Sequence, residues 1–120
     1  MSTDLDALLR EAADAGDQSE WEHAHQLLVA GMETFPEHPA LLCALGVAAR
    51  HLGADGAAYE YFRRCVAQEP EDPALLATAG SGLAALDDPD AERVLRLAAI
   101  RRRTQPQQES RMARIWPVKG

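Results

Sequence analysis

Two stretches decide how this chain folds: FPEHPALL at residues 35–42 and EPEDPALL at residues 69–76. Pro36 and Pro70 are 34 residues apart, as are Pro39 and Pro73, and the register continues with Leu42 and Leu76, Gly46 and Gly80, Leu52 and Leu86. Pro106 follows Pro73 by 33 residues, so the third unit is one residue shorter. Self-similarity at a fixed period of this length marks an array of stacked supersecondary units. Each unit holds two helical runs divided by turn signals: Gly16-Asp17 in the first, Gly53 to Gly56 in the second, Asp87 to Asp90 in the third. The acids between helical runs, among them Asp72 and Asp88, are placed to cap helix starts.

Composition agrees with helices. Of the 120 residues 47% are hydrophobic, 26% are charged and only 5% are aromatic, with Ala and Leu dominant and β-branched residues few. That balance favours helix over sheet and belongs to a folding globular chain. The chain is long enough to bury a core without a disulfide framework. Its apolar runs are only a few residues long, far short of a bilayer span, and the acidic N-terminus lacks the basic start and apolar middle of a signal peptide. A cytoplasmic location with no membrane partner is the expectation. Eleven Arg against one Lys suggests a GC-rich, bacterial genome.

Charge is distributed unevenly. Residues 1–100 hold six Arg against eighteen acids, a balance of −12, while the last twenty residues carry +5. An acidic body repels nucleic acid, so none is expected as a partner. Cys43 and Cys65 lie in apolar helical stretches without CxxC spacing; they read as buried free thiols, with a mutual disulfide as the alternative. His23 and His25 are two apart on one helix and point to different sides, so they read as surface residues without a metal. Gly80 and Gly82 flank Ser81 inside a helical run, which argues against both a phosphate loop and a nucleophile elbow. No catalytic residue, cofactor or metal site is legible, and the chain does not read as an enzyme.

These units resemble the tetratricopeptide repeat, whose 34-residue helix–turn–helix places small residues where paired helices touch and a proline after the second helix. In the second unit Leu42, Leu45, Gly46, Gly53, Ala58, Phe62, Cys65 and Pro70 stand at the family positions. In the first, Trp21 opens helix B and Ala24, Leu28, Gly31 and Pro36 follow the pattern. In the third, Leu76, Ala79, Gly80 and Leu83 are followed, one residue early, by Ala91, Leu95 and Ala98. Gly46 and Ala58 are expected to face each other inside the second hairpin. The resemblance implies an all-α, right-handed superhelical array over 1–104, with repeats at about 5–38, 39–72 and 73–105. Residues 106–120 then form a short capping helix and basic tail, with Met112, Ile115 and Trp116 on one face; a free basic arm is the alternative.

The resemblance also implies function. The family binds protein segments in a concave groove lined by the first helix of each repeat, which here projects Leu9, Ala13, Cys43, Val47, Arg50, His51, Ala77, Ser81 and Ala84. Most are small or apolar, which suits an apolar or helical peptide. The members that clamp acidic chaperone C-termini use Lys and Asn there, whereas this chain has no Asn and one Lys, Lys119. An adaptor for a partner protein is the first expectation. A secretion-type chaperone for a client, or a structural homo-oligomer without a separate ligand, are the alternatives. A homodimer would use apolar surface near Leu83, Leu86, Leu95, Met112 and Trp116.

Overall fold

A computed structural model describes residues 4–104. They form six helices: α1 (Leu5–Asp17), α2 (Trp21–Thr34), α3 (Pro39–His51), α4 (Asp55–Ala67), α5 (Pro73–Ala85) and α6 (Ala91–Thr104). No strand occurs among the described residues, so the all-helical expectation holds. The expected capping helix, with Met112, Ile115 and Trp116, lies outside the described residues.

The 34-residue period is written into the backbone. Asp4, His38 and Asp72 are the N-caps of α1, α3 and α5, each accepting from the N–H two residues on, at 3.0, 3.1 and 2.9 Å. An acceptor there satisfies a donor that the first turn leaves open and contributes about 1 kcal/mol. Pro39 and Pro73 follow as first helical residues, where a missing N–H costs nothing. Ser19, Gly53 and Asp87, again 34 apart, take the left-handed conformation at φ 62°, 79° and 61°. Behind each, Glu20, Ala54 and Asp88 donate to the carbonyls of Ala15, Ala49 and Leu83 at 2.8, 2.8 and 2.9 Å. This is the Schellman closure of a helix, repeated three times. Gly16 and Asp17, expected to form the first turn, are instead the last residues of α1. The chain reverses at residues 18–20.

Within each hairpin the two helices pack together: α1 on α2, α3 on α4, α5 on α6. The hairpins join through α2 against α3 and α4 against α5, and the first helices also touch in order, α1 to α3 and α3 to α5. The middle helix α3 is accordingly buried along nearly its whole length. Phe62 is wedged at the centre. Its ring meets Gly46 of its own hairpin, where an added Cβ would lie 2.5–2.8 Å from ring carbons, and Gly82 of the next hairpin, where the fit is equally tight. The ring of Phe62, not the methyl of Ala58, thus fills the space above Gly46. Ala58 is itself wholly buried. In the third hairpin Leu95 stands over Gly80 as Phe62 stands over Gly46. The shortened step is visible as well, since Ala58 and Cys65 of α4 return as Ala91 and Ala98, buried on α6.

Candidate functional site

The expected groove positions divide by depth. Leu9 and Cys43 are 1% and 0% exposed and belong to the core, so they present no surface to a partner. The reason is the contact of α1, α3 and α5 along one side, which closes over the positions that point between neighbouring helices. Ala13, Val47 and Ala77 are half-buried, and Arg50, His51, Ser81 and Ala84 are exposed. Ala13, Val47 and Ser81 stand 34 residues apart on three helices in lateral contact, so they form one row across the array.

At the end of this row sits a feature that no local pattern announces. The indole of Trp21, from the start of α2, stacks on the imidazole of His51, from the end of α3, with centroids 3.9 Å apart and planes 5° from parallel. Its other neighbour is Gly16, where an added Cβ would fall 2.7 Å from the ring. A glycine is required here because any side chain would strike the indole. Trp21 therefore joins the turn end of the first hairpin to that of the second. Arg50, one residue before His51, is exposed and makes no ion pair among the described residues. The signal in the sequence is a lone Trp five residues after a glycine at the end of a helix, with nothing local to link it to His51.

The second surface is a cleft of about 370 Å³ between α4, the start of α5 and α6, with Val66, Leu76 and Leu97 as its apolar floor and Arg63, Arg93 and Arg101 at its rim. Its cations are occupied. Arg63 reaches Asp88 at 3.5 Å and Asp90 at 3.0 Å; Arg93 binds Asp90 through two hydrogen bonds of 2.7 Å; Arg101 donates to the Pro70 carbonyl at 3.0 Å. The two guanidiniums, Arg93 first, hold the Asp90 carboxyl well below the ordinary carboxylate range. This cluster ties the second hairpin to the third and offers no spare charge to a ligand.

Chemistry is as sparse in three dimensions as in one. Cys43 and Cys65 are both buried and free. The Cys65 thiol beside it, together with burial, pushes the Cys43 thiol well up. His23 is exposed, whereas His25 is half-buried and lies edge-on to Tyr61 at 6.3 Å, so it is a packing residue rather than a surface one. Among the described residues no group of His, Cys, Asp or Glu could hold a metal ion, and no helix is long and apolar enough to cross a membrane. Of the residues expected to drive self-association, Leu83 is fully buried and so contributes to the core, while Leu86 and Leu95 are half-buried. Met112 and Trp116 lie outside the described residues. Comparison with protein-family models, curated proteins and solved structures returns no match.

Proposed function

We propose that this chain is a protein–protein interaction module, a right-handed array of three tetratricopeptide-type hairpins that receives an apolar or helical segment of a partner on the side formed by α1, α3 and α5. It acts by binding and carries out no catalysis. The observation that carries the reading is the row of Ala13, Val47 and Ser81, equivalent positions on three helices in lateral contact, short in side chain and not closed off from solvent. Short side chains let the partner's backbone or helix come near, and apolar contact along one row supplies affinity without a specific charge pattern. Arg50 is the polar handle beside the row, and the Trp21–His51 stack forms its wall. A cytoplasmic adaptor would need no more than this.

The test is site-specific photocrosslinking in the native host. A photoreactive residue at Val47 is expected to capture one protein reproducibly, while the same residue at exposed Glu92 on α6 does not. Val47→Glu, at a half-buried position that tolerates a charge, should abolish capture from a reporter placed at Ser81 without altering the helical circular dichroism signal. Capture that survives Val47→Glu, or that is stronger from Glu92, would move the binding surface elsewhere.

A further inference from the structure

The charge of the array changes along its length. Residues 4–34, the first hairpin, hold eight acids against Arg10 alone, a balance of −7, whereas residues 73–104 hold five Arg against four acids, a balance of +1. The two ends also differ in what they expose. Leu41 on α3 and Gly82 on α5 face the preceding hairpin, meeting Gly31 and Phe62 respectively. The equivalent positions of α1 are Ala7 and Asp14, both exposed, with Arg10 and Glu11 exposed between them. At the far end, the stripe of α6 that corresponds to Phe62 and Cys65 of α4 runs through Leu95 and Ala98 to Ala99 and Arg102. Ala99, Arg102 and Arg103 are exposed there, together with Ile100 at 48%.

We propose that this end of α6 docks on α1 of a second copy, so that the array continues head to tail between molecules. The contact repeats the geometry by which α2 meets α3 and α4 meets α5 inside one chain. In that arrangement the last turn of α6 lies beside α1 of the neighbour, which places Arg102 and Arg103 against the acidic face that carries Glu11 and Asp14. The seam between the second and third hairpins already uses this chemistry, where Arg63 of α4 reaches Asp88 and Asp90. Among the described residues neither Arg102 nor Arg103 has an acidic partner.

Charge selects the occupant. Residues 105–120 carry Arg111, Arg114 and Lys119 against Glu109 only, so they would bring further positive charge to a basic helix end. The first hairpin of another copy brings the opposite sign. A contact of this heterologous kind does not close on itself and yields chains of variable length rather than a fixed dimer. The proposal does not depend on the groove reading, because it uses different helices and faces.

The experiment is sedimentation velocity on the full chain and on two charge-reversed variants, R102E/R103E and E11K/D14K, from micromolar to millimolar concentration. The N-cap Asp4 is left in place so that α1 keeps its start. The wild type is expected to form species whose mass keeps rising with concentration. Each variant alone should weaken association at least about tenfold, since both then oppose like charges. An equimolar mixture should regain it, because the reversed α6 end of the first variant is acidic and the reversed α1 face of the second is basic. Thermal unfolding of each variant establishes that it remains folded. A wild type that stays monomeric at millimolar concentration overturns the proposal. So does a mass that stops at a dimer, or a mixture that associates no better than its components.

Discussion

Phe62 on α4 rests its ring against the bare backbone of Gly82 on α5, and this contact sets how near the third hairpin can come to the second. The ring is 1% exposed and has Gly46 against another part of it, so it has no room to retreat. Gly82→Ala gains about 1 kcal/mol of helix propensity but overpacks a closed site at a cost of about 1–3 kcal/mol. The ring is rigid and held from both sides, so the cost prevails. Chemical denaturation should show a net loss, and that loss should shrink in a Phe62→Leu background, the mark of direct coupling.

Ala58 is 0% exposed where α4 packs on α3. Ala58→Leu is expected to destabilise the chain by about 1–3 kcal/mol through overpacking. A melting temperature that is unchanged or raised would mean that the helices of this hairpin do not meet at this position.

Two of the three left-handed turn positions are occupied by residues that the conformation disfavours. Ser19 and Asp87 sit at φ 62° and 61° where the second hairpin has Gly53. Left-handed backbone costs an L-residue about 1–2 kcal/mol, and glycine escapes that cost. Ser19→Gly and Asp87→Gly should each raise the melting temperature, while Gly53→Ala should lower it. The three measurements together check the turn register of the whole array.

His38 caps α3 by accepting from the Ala40 N–H through Nδ1, as Asp72 caps α5 through a carboxylate oxygen. An imidazole that has taken up a proton at Nδ1 can no longer accept. His38→Asp is therefore expected to stabilise the protein, with the larger gain below the ordinary histidine range. Unfolding curves on either side of that range give the comparison.

Acid should loosen the joints between hairpins. The carboxyls of Asp90, beside Arg93 and Arg63, and of Glu37, beside Arg64, are both held below their ordinary values. A carboxylate with a lowered value in the folded state binds fewer protons than in the unfolded chain, so its stabilisation is present above the unfolded value and is lost as pH falls through the folded one. Stability at acid pH should decline less steeply in Asp90→Asn than in the wild type, read as the slope of unfolding free energy against pH. Both pairs are partly exposed, so added salt should blunt the difference.

The sequence alone determined the period, the number of hairpins, the helical class and the acidic caps. Those depend on residues close together in the chain: Pro39 after His38, Pro73 after Asp72, and the reversals at Gly53 and Asp87. Gly16 looks like a turn residue, yet the first reversal begins two residues further on. Its absent side chain serves instead to admit Trp21. Only the tertiary structure decided which groove residues remain available: Leu9 and Cys43 differ from Val47 not in chemistry but in how α1, α3 and α5 close over them. The Trp21–His51 stack, the Phe62 wedge and the Arg63–Asp90 joint likewise unite residues about a repeat apart or on different hairpins. Local pattern specifies each helix and each turn, but the packing of one hairpin on the next depends on distances that no stretch of sequence states by itself.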